Sequence, residues 1–295
     1  MTTPLLTRVK STLFVHSRRR SRTLIEGEFA SVFHGRSLDF DDLRDYVPGD
    51  EVRDIDWKAT ARHSAPLVRR YVAARKQNLM LVVDTGRGMA ALAKGGEPKK
   101  EVAIAAAGLI GYLAYRHGDL VGLVRGDSSG AVAHELRGSE AHLERLLRAI
   151  HDATRLDASR SELAALLGWV ARNVRRRMLL LVVADDLELD DQLAGLLRRL
   201  QVQHEVLWLT VEDADPTVLS TTRAAVDVSD HHVLPTSVRT DPRVRAAYAE
   251  AAAARARATA AALDDVRISH GRVGATSDVL TAVFGLLERQ RRAVR

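Results

Sequence analysis

Three short apolar runs constrain this chain more than any other feature, and two of them end on acids. Leu79-Met80-Leu81-Val82-Val83 runs into Asp84, Met178–Val183 runs through Ala184 into Asp185 and Asp186, and Glu205–Val211 is the third. Runs of this length, with no polar alternation, read as strands buried on both faces. Helical periodicity fills the intervals. Pro98 and Gly118 bracket an apolar helix carrying Val102, Ile104, Leu109, Ile110 and Leu113, with proline at the start and glycine past the end. Leu143, Leu146, Leu147 and Ile150 mark a second helix, and Leu163, Leu166, Leu167 and Val170 a third, with Ser159 and Glu162 spaced as its capping box. Leu189 to Leu200 stripe a fourth, Asp241-Pro242 opens an alanine-rich one to about 264, and 278–292 is the last. Further strands are expected at 119–125, 131–136 and 266–269. Strands alternating with helices predict an α/β architecture, a doubly wound and mainly parallel sheet flanked by helices.

In such sheets ligands bind beyond the carboxyl ends of the strands, where strand order reverses. Asp84 and Asp185 are therefore expected to face one crevice, an oxygen-rich place suited to Mg²⁺. The competing reading is that each acid caps the helix after its strand.

Composition narrows the function. There is no cysteine, which excludes a disulfide framework, thiolate zinc sites and a cysteine nucleophile. The longest uncharged apolar stretch, 102–115, is 14 residues with two glycines, short of the roughly 18 needed to span a membrane. No signal-peptide core opens the chain, so a cytoplasmic location is expected, with peripheral membrane contact as its variant. The net charge is +6 and aromatics are 4%, too few for a base-stacking platform. Arg8, Lys10, Arg18, Arg19, Arg20 and Arg22 are the basic residues of a segment, 8–22, without an acid. It reads as a solvated arm within 1–25, or as a contact for nucleic acid or anionic lipid.

Residues 36–76 interleave eight acids with nine bases, around a turn at Pro48-Gly49 and the aromatic Trp57. This reads as an extension held by ion pairs, or as a docking face. In the structural version Trp57, Arg53 and Asp56 hold the extension in place while Asp45 and Glu51 stay exposed. An enzymatic alternative places a metal-dependent hydrolase or nuclease on Asp50, Asp54 and the Asp56-x-Lys58 pair. Gly86-x-Gly88-x-x-Ala91 formally matches a dinucleotide fingerprint, but Lys94-Gly95-Gly96-Glu97-Pro98 breaks the helix that motif requires. No nucleophile elbow, paired-histidine zinc helix or phosphate loop is present, and Lys99-Lys100 lacks the glycine spacing of the last.

The stretch from Leu43 through Arg44, Asp45, Tyr46, Pro48, Gly49, Asp50, Glu51, Arg53, Asp56 and Trp57 to Arg62, continued by Pro66-Leu67-Val68-Arg69, closely resembles the signature of the domain of unknown function number 58 family. The resemblance runs from about Gly27 to the end. It implies a von Willebrand factor A-like, Rossmann-type domain at 77–295, preceded by a family-specific extension at 26–76. It also implies a non-enzymatic interaction or adaptor role beside a MoxR-type AAA+ ATPase, in assembly or maturation of other proteins. Asp84-Thr85-Gly86-Arg87-Gly88 is similar to the Asp-x-Ser-x-Ser start of the metal-ion-dependent adhesion site of such domains, with Ser161 matching the later hydroxyl ligand and Asp185 the last acid. Both signature serines are glycine here, so the site is expected to be degenerate. No cofactor is required, and Mg²⁺ at Asp84 and Asp185 is expected to be weak or absent. Serines at 86 and 88 are expected to strengthen metal binding.

Overall fold

Residues 4–17, 43–47, 50, 55–62, 65–69, 78–218, 225–235 and 240–294 are described in the computed structural model. In chain order the strands are β1 (Leu43–Asp45), β2 (Leu67–Arg69), β3 (Leu79–Asp84), β4 (Val121–Asp127), β5 (Gly130–Arg137), β6 (Leu179–Asp185), β7 (Glu205–Val211), β8 (Ala225–Val226), β9 (Val233–Leu234) and β10 (Ser269–Val273). The helices are α1 (Leu5–Ser17), α2 (Trp57–Thr60), α3 (Lys99–His117), α4 (Glu140–Ala153), α5 (Leu163–Asn173), α6 (Asp191–Gln203), α7 (Pro242–Asp265) and α8 (Val279–Val294).

Six strands form one sheet in the order β10-β7-β6-β3-β4-β5, parallel throughout except for the antiparallel edge pair β4–β5. Period-2 geometry sends alternate residues of β3 to opposite faces. Leu79, Leu81 and Val83 join a core with α1, α3, α4 and α8, while Met80 and Val82 join one with α5, α6 and the end of α7. Burial on both faces is why these strands are apolar without alternation. The expected fold class is the observed one, a Rossmann-like three-layer α/β domain.

Chain order places the crevice. From β3 the chain crosses to β4 on one side, and from β6 it crosses to β7 on the other. β3 and β6 are hydrogen-bonded neighbours, so the switch point lies between them and Asp84 and Asp185 end its two walls.

Two local expectations are corrected. The first residues are not a solvated arm: α1 lies on the domain, with Leu5, Leu6 and Val9 buried in its core. Glu144 of α4 accepts from the Leu5 and Leu6 amides at 3.2 and 2.8 Å, satisfying donors that a helix start leaves open. Arg8 pairs with Glu101 at 2.9 Å and Lys10 pairs with Glu140. These two bases are thus engaged within the fold; Arg18, Arg19, Arg20 and Arg22 lie outside the described residues. The last strand is not 266–269 but β10. Val266 and Ile268 are apolar because they bury in the turn after α7, where Arg267 is left-handed at φ 58°. Among the described residues no helix is long and apolar enough to cross a membrane.

Candidate functional site: a carboxylate crevice with its own ammonium

Asp84, Gly86, Gly88, Ser161 and Asp185 do come together. Asp84 is 1% exposed, and its Oδ1 accepts from the Gly86 amide at 2.8 Å. The turn after β3 is a short 3-10 segment, Arg87–Ala90, and α3 begins only at Lys99. The glycines therefore do not open a helix, which disposes of the dinucleotide reading.

Ser161 caps nothing. The residue before α5 is Glu162, which makes no side-chain cap, so the expected capping box does not form. The serine turns into the crevice instead. A Cβ on Gly86 would lie 2.4 Å from the Ser161 amide nitrogen and 2.5 Å from its Cα. That is backbone, which cannot swing away. A Cβ on Gly88 would lie 2.8 Å from Asp185 Oδ2 and 3.2 Å from Ser161 Oγ. The expectation that serines here would rebuild a metal site is corrected: at position 86 the space a serine needs is already filled.

The residue that sequence reasoning passed over is Lys99. Its Nζ donates to Asp185 Oδ1 at 2.6 Å and to Asp213 Oδ1 at 2.5 Å, and the side chain is 1% exposed. The strand ends hold it in register. The segment after the glycine turn is woven onto them, with Lys94 N bonding Glu212 O at 3.0 Å, Ala214 N bonding Leu92 O at 3.0 Å and Lys99 N bonding Ala91 O at 2.8 Å. The bordering acids are spoken for separately. Arg272 of β10 grips both oxygens of Asp186 and reaches Glu212 at 3.4 Å.

Burial would push the Lys99 ammonium down, but the carboxylates of Asp185 and Asp213 outweigh it and hold its pKa above the ordinary value. Asp213 is pushed up by burial and by the charge of Asp185, beyond what Lys99 offsets. Asp84 is raised to about 6, chiefly by burial, with the Gly86 amide and the Ser161 hydroxyl pulling the other way. Ser161 is near enough to favour the carboxylate yet not aligned for a full hydrogen bond. Asp84 Oδ2 and Ser161 Oγ are both buried without a well-formed partner among the described residues.

The tip of the β8–β9 hairpin lies over this corner. Arg87 donates to the Ser229 carbonyl at 2.5 Å and meets His231 Nε2 at 3.3 Å, and Arg160 also reaches Ser229 O at 3.2 Å.

The residues present do not fit the Mg²⁺ that the resemblance implies. Near-octahedral oxygen ligation is needed, Gly86 and Gly88 supply none, and an ammonium stands between Asp185 and Asp213. Among the described residues no group of three or more histidines or acids is placed to hold a metal.

The signature segment builds a separate small unit. β1 and β2 pair antiparallel, and the Asp56 side chain caps α2 by accepting from Lys58 N and Ala59 N at 3.0 and 3.1 Å. Its amide bonds Leu67 O at 2.8 Å, while Tyr46 N bonds Pro66 O at 2.9 Å and Thr60 Oγ1 accepts from Leu67 N at 2.9 Å. Asp50 accepts from Val47 N at 3.0 Å. The proposed hydrolase acids Asp50 and Asp56 thus satisfy local backbone, and Lys58 and Arg62 face solvent. Trp57 does not hold the unit together as expected: it is 64% exposed, and Val47 is 54% exposed. Asp45 is exposed and Tyr46 half-buried. Pro48, Gly49, Glu51, Arg53 and Asp54 lie outside the described residues, and of Arg44 only the backbone is described.

Fold and crevice define a Rossmann-like α/β domain with acids at its switch point. Residues 42–259 match the family described as "Protein of unknown function DUF58", and the chain belongs to that family. Uncharacterised proteins of Mycobacterium bovis and Mycobacterium tuberculosis are 28% identical over 252 residues, covering 85% of this chain and 79% of theirs. Similar solved structures include an aerotolerance-related membrane protein from Bacteroides fragilis (TM-score 0.42, 13% identity, covering 72% of this chain and 98% of that one). A von Willebrand factor type A protein from Catenulispora acidiphila is another (TM-score 0.39, 10% identity, 75% and 43% covered).

Proposed function

We propose that the protein is a non-enzymatic interaction module that works with a MoxR-type AAA+ ATPase in the assembly or maturation of other proteins. One observation carries the reading. Asp56 of the family signature caps the short helix α2, and that helix presents Trp57 to solvent. Tryptophan is the residue type that most often dominates binding energy at an interface. An exposed tryptophan on a fixed helix start costs little entropy to bury, which suits docking. Asp185 and Asp213 are partnered internally by Lys99, and Asp186 by Arg272, which favours a structural use of these acids over catalysis.

The test is capture of a purified MoxR-type ATPase, with and without ATP, by wild type and Trp57→Ala. Because Trp57 is exposed, the substitution should change stability by only about 0.5 kcal/mol. A loss of at least about tenfold in affinity is expected of a hot-spot residue. Undiminished capture by the folded variant refutes docking through Trp57. Hydrolytic activity that survives purification and disappears in Asp56→Ala would favour the enzyme reading instead.

A further inference from the structure

Asp185 and Asp213 hold a buried ammonium, that of Lys99, in the crevice that Asp84 also lines. Its origin is unusual. Lys99 is the first residue of α3, where the helix dipole is positive and a cation is disfavoured. A buried ammonium at such a place persists only if fully paired, and this one bonds a carboxylate from the end of β6 and another from just past β7. It therefore joins the ends of β6 and β7, on one side of the β3–β6 switch point.

The rest of the crevice is shaped around that bond. At Gly86 the Ser161 backbone takes up the room where a hydroxyl-bearing side chain would stand, and at Gly88 the Asp185 carboxylate does so. Asp84 Oδ2, on a side chain 1% exposed, and Ser161 Oγ face the same space without a well-formed partner. Such a constellation would attract a cation if its own were removed.

We propose that the Lys99 ammonium is the permanent cation of this crevice, tethered by the chain, so that the strand ends are assembled without metal. The inference is independent of the ATPase reading, and ATPase capture could fail with the role of Lys99 intact.

Lys99→Ala leaves the carboxylates around the vacated space. In buffer free of divalent ions this variant is expected to melt below wild type. Millimolar Ca²⁺ or Mg²⁺ is expected to raise its melting temperature by several degrees, with sodium chloride of matched ionic strength as control. Wild type should move by less than about 1 °C under the same additions. Calorimetry should show Ca²⁺ binding to Lys99→Ala at least about tenfold tighter than to wild type.

Should Lys99→Ala fail to fold, the neutral Lys99→Gln takes its place. The wild-type titration decides independently, because an absence of measurable binding there supports the tethered cation. A folded Lys99 variant that gains no cation affinity overturns the proposal. So does a wild-type dissociation constant for Mg²⁺ or Ca²⁺ tighter than about 0.1 mM that is lost in Asp185→Asn.

Discussion

Replacing Asp84 by asparagine should make the protein more stable at neutral pH. The carboxyl is 1% exposed, and its pKa in the fold is about 6 against an ordinary 3.8. The native state therefore holds the proton more tightly than the unfolded chain does. Below the unfolded pKa both states are protonated and ionisation costs nothing. As pH rises from about 4 to 6, the unfolded chain ionises and the native carboxyl resists, so stability falls. Above about 6 the full penalty applies, and at 1.36 kcal/mol per pK unit the gap amounts to about 3 kcal/mol. That net value already contains the favourable pull of Gly86, Ser161 and Lys99. Asparagine keeps the Oδ1 acceptor for the Gly86 amide and brings an NH₂ group toward the unpaired Ser161 hydroxyl. Urea unfolding followed by circular dichroism at pH 7.5 and pH 4 is the assay. Asp84→Asn is expected to exceed wild type by up to about 3 kcal/mol at pH 7.5, with the difference shrinking toward zero at pH 4. The comparison must be between variants. His204 is wholly buried with its pKa lowered by burial, and it costs stability as pH falls through the ordinary histidine range, the opposite trend. A variant less stable than wild type at pH 7.5, or a difference independent of pH, would refute the assignment of Asp84 as a desolvated, strained carboxyl.

Two further perturbations separate neighbouring parts of the fold. Gly86→Ser should destabilise by more than about 2 kcal/mol, since its Cβ meets backbone at 2.4 Å; Gly88→Ser should cost less, because the Asp185 carboxylate it meets at 2.8 Å is the movable end of a side chain, and equal thermal shifts for the two would contradict this. Glu144→Ala should remove the acceptor for the first amides of α1 at a cost of about 1 kcal/mol and speed tryptic cleavage at Arg8 and Lys10, and an unchanged cleavage rate would show that Leu5, Leu6 and Val9 hold the helix alone.

The sheet was legible in the sequence because a strand buried on both faces needs only a local pattern: Leu79–Val83 and Met178–Val183 carry it, and the acids at their ends mark the carboxyl edge of the sheet. The same logic made α3 readable from Pro98 and Gly118 and the third strand readable from Glu205–Val211, but the acid ending of that strand, Glu212-Asp213, was passed over. What the tertiary structure alone decided is which groups meet there. Lys99 and Asp213 are 114 residues apart, and no periodicity joins them; the one local clue was a lysine standing at the unfavourable end of an apolar helix. Ser159 and Glu162 looked like a capping box because capping is a short-range pattern, but the close approach of the Ser161 backbone to Gly86 is set by how the loop before α5 packs on the turn after β3. Trp57 was expected to help hold the extension on the domain, yet Asp56 uses its carboxylate to start a helix and leaves the ring outside. Local sequence determines which backbone shapes are favourable, whereas burial and pairing of charge depend on surfaces brought together from distant parts of the chain.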